Sequence, residues 1–536
     1  MELVAIYLAV VFVGGLAARL IRMPPLIGFL AAGFALNAMG VDELPGLDVM
    51  ANLGVTLMLF AIGLRLDLKI LVKREVWLNT GLHMLIMTVI GAGFLAALSA
   101  LGAFGPESLR VLATMGLVLS FSSTIVVIKI LQERGDDQAL YGRIAIGILV
   151  MQDVVAVVLM SISSGEPPSI YSLGLIAVIP ALMWATKYWY KIGHGEMEAL
   201  FGIAMALIPG YLLFEELGLS GSLGALIMGL ILAPRPGADQ LSHTLFTLKE
   251  LLLVGFFLTI GFEGLPSWQN VIVGLALLAL LPVQGFFYWL LLWLLGLRNR
   301  TAVLAALLLA NYSEFALIIG KSGTENGWLS DDWMLSLVIA VAGSFVVSAL
   351  LNPTSVSFAS RFAKRLPTRP PDKIHPDDRP IDVGDAQAIV LGMGRVGSAA
   401  YTQLVDEYKL RVLGVEHDPN RVRALRKRGF NIVEGDATDY DFWARAVGAG
   451  QTDLIVLAMP AQYANVEALR ELRRIGDGGA TVASVALYRE DVDELEDLGL
   501  DVVIHLYEGA GEALADRAVE AREAYESNGE GQRDGA

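Results

Sequence analysis

The sequence predicts a polytopic α-helical membrane protein of roughly thirteen spans, followed by a C-terminal α/β Rossmann-like domain. Three observations predict this fold class. Of 536 residues, 55% are hydrophobic and only 18% are charged, and the mean hydropathy is +0.58. The long apolar runs end near residue 351, after which the composition is that of a soluble α/β domain. A glycine-rich turn between a strand and a helix lies in this second part.

Composition divides the chain into four parts. Residues 1–354 form the transmembrane domain, 355–385 an amphipathic segment and a proline-rich linker, 386–508 the Rossmann-like domain, and 509–536 an acidic tail. We expect the last residues, 526–536, to be disordered.

The absence of cysteine excludes disulfides, thiolate metal sites and a catalytic thiol, and the net charge of −16 argues against nucleic acid as a partner.

Hydrophobic runs of about 20 residues are long enough to cross a bilayer. The predicted spans are residues 3–20, 25–39, 50–66, 77–101, 109–131, 144–163, 170–188, 197–214, 219–233, 248–262, 271–295, 301–321 and 333–351. The N-terminus lacks a basic n-region, so we expect a membrane helix there and not a removable signal peptide.

The loops between these spans alternate in charge. One set is basic and includes Arg19, Arg22, Lys69, Lys73, Arg134, Arg143, Arg298 and Arg300. The other set is acidic and includes Asp42, Asp48, Glu107, Glu166, Glu215, Glu263 and Asp331. Basic loops remain in the cytoplasm, which predicts an external N-terminus and a cytoplasmic C-terminal domain.

A carboxylate lies in the middle of the sixth predicted span, where Gln152 and Asp153 interrupt the apolar run. An Asp at a helix centre costs about 2.5–3.5 kcal/mol on insertion scales, so Asp153 must face a polar cavity or a partner. One interpretation is a structural Asp that bonds a neighbouring helix. The other is a site where a cation and a proton compete for one carboxylate, with Gln152 adding a neutral oxygen.

Two other spans carry polar breaks at their centres. The fifth contains Ser122, Ser123 and Thr124, and the twelfth contains Asn311, Ser313 and Glu314. One such break in each half is typical of an inverted-repeat transporter with two crossing broken helices. The freed backbone groups are tolerated only beside water, ions or polar side chains. These six residues are therefore predicted to line the ion site.

Lys249 and Glu314 each have two alternative roles, and a third polar residue in a span is His83. Lys249, at the start of the tenth span, either snorkels to the interface or neutralises Asp153 when no cation is bound. Glu314 either lines the cation path or caps a half-helix. His83 lies on an apolar helix, and a structural role is expected for it.

The C-terminal domain begins with a buried strand at 388–391 and a G-x-G-x-x-G turn. The turn consists of Gly392, Met393, Gly394, Arg395, Val396 and Gly397. Its glycines let backbone N–H groups approach a pyrophosphate at the following helix N-terminus, where Arg395 can meet a phosphate. The second strand, at 411–415, leads into Glu416, which can accept from the ribose hydroxyls of an adenine nucleotide.

Further contacts to the adenosine end are predicted after the third strand, at Asp436, Ala437 and Thr438. No acid–base pair accompanies this fingerprint, so the sequence predicts binding without chemistry and no enzyme activity.

These motifs resemble the Kef-type potassium efflux antiporters of the monovalent cation/proton antiporter-2 family. The matching residues are 122–124, Gln152, Asp153, 218–220 through Gly229, 256–261, 313–316, 392–397, 416–419 and 435–438. The resemblance covers nearly the whole chain except the linker and the tail.

The resemblance implies a homodimer, through both membrane and nucleotide-binding domains, in the cell inner membrane. It implies K⁺ binding at Gln152 and Asp153, with K⁺ and H⁺ as the transported ions. It also implies a potassium-transport nucleotide-binding (RCK/TrkA-N) domain that binds NAD(H) or AMP and gates transport, with His417 beside Glu416 in the nucleotide site. Glutathione gating of some members is not carried over, because no glutathione pocket matches here residue by residue.

The leading hypothesis is potassium/proton antiport by alternating access at Asp153. The alternatives are a nucleotide-gated potassium channel, a sodium/proton antiporter of the same fold, and a membrane-bound oxidoreductase. A channel of this kind predicts a filter such as Thr-Val-Gly-Tyr-Gly, which the sequence lacks.

Overall fold

The computed structural model describes most of the chain. The described residues are 2–21, 23–65, 72–103, 107–134, 136, 139–163, 196–217, 221–235, 237–352, 355–363, 365–367, 369–370, 373–379, 384–435, 452–475 and 479–530. They form two compact units, Met1–Ile128 with Ile144–Thr368 and Lys129–Arg143 with Arg369–Ala536.

The described residues before position 364 are mostly helical. Its first helices are α1 (Glu2–Leu20), α2 (Pro25–Ala38), α3 (Leu47–Arg65), α4 (Arg74–Ala100), α5 (Leu109–Val118), α6 (Thr124–Arg134), α7 (Leu140–Ser163) and α8 (Glu196–Met205). A π-helical turn, Ala206–Leu212, contains Pro209 and joins α8 to α9 (Leu213–Glu216). The later helices are α10 (Gly221–Leu232), α11 (Ala238–Phe262), α12 (Trp268–Leu277), α13 (Leu280–Leu294), α14 (Asn299–Leu309), α15 (Phe315–Glu325), α16 (Asp331–Leu351) and α17 (Ser355–Ala363).

Among the described residues, six helical segments are long and apolar enough to cross a membrane. They are Leu3–Leu20, Leu47–Leu64, Arg74–Ala100, Glu196–Glu216, Trp268–Leu294 and Asp331–Leu351, and four shorter apolar helices accompany them. The predicted span at 170–188 lies outside the described residues. The count of roughly thirteen spans therefore stays a prediction.

The two predicted helix breaks are confirmed. The fifth span divides into α5 and α6, with a non-helical stretch between Val118 and Thr124. The twelfth divides into α14 and α15, with a stretch between Leu309 and Phe315. Ser and Asn side chains compete for backbone hydrogen bonds, which favours such interruptions over continuous helix.

Helices α2, α3, α10 and α11 pack closely where glycines face one another. A Cβ on Gly229 of α10 would overlap the carbonyl oxygen of Phe60 on α3, and a Cβ on Gly63 would overlap that of Leu226. Small residues at these crossings let the backbones meet, as is common in membrane helix pairs. The aliphatic side chains around the crossing, including Leu57 and Met228, are fully buried.

The C-terminal domain contains a six-stranded parallel sheet of order β3-β2-β1-β4-β5-β6. The strands are β1 (Ala388–Leu391), β2 (Val412–Glu416), β3 (Ile432–Glu434), β4 (Leu454–Leu457), β5 (Thr481–Ala486) and β6 (Val502–His505). Its helices are α18 (Arg395–Asp406), α19 (Pro419–Lys427), α20 (Gln462–Ile475), α21 (Arg489–Asp497) and α22 (Leu506–Glu530). This is the doubly wound order: the chain lays down β2 and β3 on one side of β1 and then β4, β5 and β6 on its other side.

Element boundaries differ from the predictions at two places. Strand β2 runs from Val412 to Glu416 instead of 411–415. The tail is largely helical, since α22 continues to Glu530 through part of the segment for which we expected disorder. The earlier part of this helix, residues 506–525, is rich in Ala, Glu and Arg, which favour helix even where no apolar core is available.

Replacing Gly229 by Ala should lower the stability of the helical unit by about 1–3 kcal/mol, because the added methyl overlaps the backbone of α3. The thermal midpoint of the purified protein in detergent measures this. The matched control is Gly93→Ala on α4, where a Cβ meets nothing within 4 Å and better helix propensity should leave stability unchanged or slightly higher. Equal midpoints for the two variants would show that the glycine crossing is not tightly packed.

Candidate functional site

The two helix breaks meet, and their backbone groups bond to each other and to nearby side chains. The Ser313 N–H donates to the Phe121 carbonyl at 3.1 Å, which joins the second break to the first. The Ser123 N–H donates to Asn311 Oδ1 at 2.7 Å, and Asn311 Nδ2 donates to the Leu308 carbonyl at 2.6 Å. Groups that lose their helical partners at a break thus find new ones in the opposite break.

Asp153 faces the first break from α7 and is almost fully buried, with 1% of its surface exposed. The Thr124 hydroxyl donates to its carboxylate, at 3.0 Å from Oδ2 and 3.3 Å from Oδ1. The structure therefore brings together the mid-span carboxylate and the start of α6, as the sequence predicts.

Glu314 and Lys249 complete a buried charged group with Asp153. Glu314 is the N-cap residue of α15 and accepts from the Ser123 hydroxyl at 2.9 Å, so it both ends the break and faces the other one. Lys249, on α11, is 7% exposed and interacts electrostatically with both carboxylates. Its burial favours the ion-partner interpretation over snorkelling.

Gln152 cross-links α7 to the first break. Its Oε1 accepts from the Ser122 N–H at 3.0 Å, and its Nε2 donates to the Ser120 carbonyl at 3.1 Å and to the Tyr288 hydroxyl at 2.7 Å. Both N–H groups of the amide are therefore used in this conformation. The role of Gln152 as a direct cation ligand stays a prediction.

Three buried polar side chains near the breaks were not predicted as part of the site. Tyr288 and Gln284 lie on α13, and His83 lies on α4; all three are fully buried. Gln284 Nε2 is 3.3 Å from the Ser122 hydroxyl and from the carbonyl of Asn311. The signal for Gln284 was available, because it is a polar residue within the otherwise apolar run 280–294.

In the glycine turn of the second unit, 392–397, a side chain at the first or the last position would clash with backbone atoms. Gly392 has φ +85, and a Cβ there would lie 2.8 Å from the carbonyl carbon of Ala458, at the end of β4. A Cβ on Gly397 would overlap the carbonyl oxygen of Gly392, so α18 packs directly against the turn. Arg395, the first residue of α18, is exposed. This geometry leaves the helix N-terminus open to an anionic group.

Glu416 is 2% exposed at the carboxyl end of β2 and crosses to the glycine turn. Its Oε2 accepts from the Met393 N–H at 3.1 Å and from Arg421 at 3.2 Å, and its Oε1 accepts from the backbone N–H groups of His417 and Asp418. Burial alone would raise the pKa of Glu416, but these bonds and the adjacent cations outweigh it and lower the pKa to about 2.

The structure describes only some of the residues that were predicted to bind the nucleotide. The turn residues, Glu416 and His417 come together at the carboxyl edge of the sheet, where ligands of this fold bind. Asp436, Ala437 and Thr438 lie outside the described residues.

Comparison with known proteins assigns both halves. The family model "Sodium/hydrogen exchanger, transmembrane" matches residues 7–359, and the TrkA-N domain model matches residues 388–506. The chain is 27% identical over 470 residues to the glutathione-regulated potassium-efflux system protein KefC of Salmonella schwarzengrund, covering 82% of this chain and 72% of that protein. The protein of the same description from Cronobacter sakazakii is 27% identical over 468 residues, with the same coverage.

A solved structure supports the fold of the helical part. The sodium proton antiporter MjNhaP1 from Methanocaldococcus jannaschii matches with a TM-score of 0.50 at 14% identity, covering 68% of this chain and 99% of that chain. At this identity the match concerns the fold alone. Together with the two family models, it shows that the chain belongs to the sodium/hydrogen exchanger family, as a Kef-type cation/proton antiporter with a C-terminal TrkA-N domain.

Proposed function

We propose that this chain exchanges potassium for protons by alternating access at Asp153, under the control of a nucleotide in the TrkA-N domain. The observation that carries the proposal is the buried charged group at the two helix breaks, made of Asp153, Glu314 and Lys249.

The charges of this group do not balance. Two ionised carboxylates and one ammonium sum to −1, and an uncompensated charge away from water is costly. One further positive charge balances the group, and either a proton or a monovalent cation supplies it. The two ions therefore compete for the same place, as exchange requires.

The same charge count explains why transport is exchange and not leak. Reorienting the site with no ion bound would move a net charge through the low-dielectric interior of the membrane. Reorienting it with one ion bound would move no net charge. Reorientation is thus favoured only when a proton or a cation is present. This supports an electroneutral exchange of one cation for one proton.

Potassium is proposed over sodium on the likeness to KefC, which is described as a potassium-efflux system. The alternative is sodium/proton exchange, since the family model is named for sodium. We further propose a homodimer in the cell inner membrane, with the N-terminus outside and the TrkA-N domain in the cytoplasm.

For the nucleotide, we propose NAD(H) or AMP bound across the glycine turn with its ribose at Glu416. A carboxylate with a pKa of about 2 is ionised at every physiological pH and accepts from ribose hydroxyls, while it would repel a 2′-phosphate. The bound ribose would take the place of a present partner such as the half-exposed Arg421.

A contact within the second unit offers a route from nucleotide to transport. Arg143 lies on the first turn of α7 and is part of this unit, and its Nη2 is 2.9 Å from Oε1 of Glu434. Glu434 ends β3 and pairs in register with Glu416. Since Asp153 lies on the same helix as Arg143, a nucleotide that displaces Glu434 would act on the helix that carries the ion site.

Replacing Asp153 by Asn should reduce exchange at least about 100-fold, because the amide carries neither the charge nor the proton. The measurement is proton flux in proteoliposomes under a potassium or a sodium gradient. Asp331→Asn, at the exposed first turn of α16, is the matched control and should retain wild-type flux. Retained exchange in Asp153→Asn would contradict the mechanism, sodium-only flux would favour the sodium alternative, and cation flux without protons would favour a channel.

Replacing Glu416 by Gln should weaken NADH or AMP binding about 10- to 100-fold, because a charged acceptor for the ribose becomes a neutral one.

Replacing Arg143 by Gln should instead keep nucleotide affinity and abolish the effect of the nucleotide on flux, because only the ion pair with Glu434 is lost. Calorimetric titration and flux, each with NADH, NAD and AMP, measure both variants. Arg426→Gln is the control, since Arg426 bonds the Ile432 carbonyl of β3 and not Glu434. Undiminished affinity in Glu416→Gln would exclude the proposed ribose contact.

A further inference from the structure

A second buried polar cluster lies beside the charged group and is centred on Tyr288. The Tyr288 hydroxyl is 2.7 Å from Gln152 Nε2 and 3.0 Å from Ser122 Oγ. Its ring stacks on the imidazole of His83, with centroids 3.5 Å apart and planes 11° apart. All four side chains are at least 99% buried, so no bulk water competes for these bonds.

The protons of this cluster have one consistent arrangement. A serine hydroxyl has a single proton, and that of Ser122 goes to the Leu309 carbonyl at 2.7 Å, which cannot donate. Tyr288 must therefore donate to Ser122 Oγ. Gln152 Nε2 can only donate, so the Tyr288 oxygen accepts from it. The amide orientation of Gln152 is fixed independently, because Oε1 faces the Ser122 N–H and Nε2 faces the Ser120 carbonyl.

Tyr288 thus joins three elements through one oxygen atom. It ties α13 to Gln152 on α7 and to Ser122 in the first break, and Ser122 continues the chain of bonds to Leu309 at the end of α14. Asp153 is the residue after Gln152. A side chain that fixes Gln152 against the break therefore also fixes the direction from which Asp153 meets Thr124.

We propose that Tyr288 is a positioning residue for cation binding, which holds Gln152 and thereby places the Asp153 carboxylate. The inference rests on the proposed function, because it assigns Tyr288 a part in the exchange at Asp153. Tyr288 does not touch the carboxylate or the ion and acts only through Gln152 and Ser122.

Replacing Tyr288 by Phe tests this, since the ring keeps its stack on His83 and only the hydroxyl is lost. In proteoliposomes the KM for the cation should rise about tenfold, while kcat changes less than about twofold, because a displaced Asp153 binds the cation less well but still carries it. A merely structural loss would instead lower the active fraction and hence kcat, with KM unchanged.

A double-mutant cycle tests whether Tyr288 acts through Gln152. Gln152→Met should raise the KM by itself, and adding Tyr288→Phe should raise it further by less than about threefold, because the partner is already gone. Tyr7→Phe is the matched control: this buried tyrosine on α1 also loses one hydroxyl, whose bonds go to the backbone of Asp42 and Leu44. Its KM should equal that of the wild type.

The inference is overturned if Tyr288→Phe has a wild-type KM, or if its effect multiplies in full with that of Gln152→Met. Either result in liposomes where the wild type exchanges cations for protons leaves the proposed function intact. Absence of exchange in the wild type itself would remove both the proposed function and this inference.

Discussion

The meeting of two interrupted helices around buried charge is the constraint on which the helical part depends. Backbone groups released at each break bond to the other break, as in Ser313 to Phe121 and Ser123 to Asn311. In this setting the side chains of Asp153 and Glu314 are held without bulk water, and the buried Lys249 interacts electrostatically with both. In the proposed mechanism this group takes up one more positive ion, and the identity of that ion decides which half of the exchange takes place.

The TrkA-N domain depends on the glycines of the turn between β1 and α18. Its turn needs Gly392 at positive φ and Gly397 without a side chain, so that the start of α18 stays open beside the ends of β1 and β4. Glu416 then ties this turn to β2 through the Met393 N–H. In the proposed function, a nucleotide that bonds Glu416 rearranges these contacts and thereby acts on the neighbouring end of β3 and its ion pair with Arg143.

Much of this was readable from the sequence, and what was not has a physical reason. Charge in an apolar run and the glycine fingerprint are local signals, so Asp153, both breaks and the nucleotide turn could be predicted. The sequence left Lys249 open between snorkelling and an ion partner for Asp153, because the two roles need the same residue at the same position in a span. Tyr288 was missed because a tyrosine in an apolar helix is common, and only packing shows that its hydroxyl faces Gln152. The helix at 526–530 was missed because polarity was taken for disorder, whereas it continues a helix whose earlier residues are rich in Ala and Glu.

The account depends most on competition between a proton and a cation for one site. Its most direct test is the apparent KM for potassium measured in proteoliposomes as a function of pH. Competition predicts that, over the acidic part of the range, each unit of decreasing pH raises the KM by about tenfold while the maximal rate at saturating potassium is unchanged. A KM that stays constant across pH, with only the maximal rate changing, would show that the two ions bind at different places and would contradict the account.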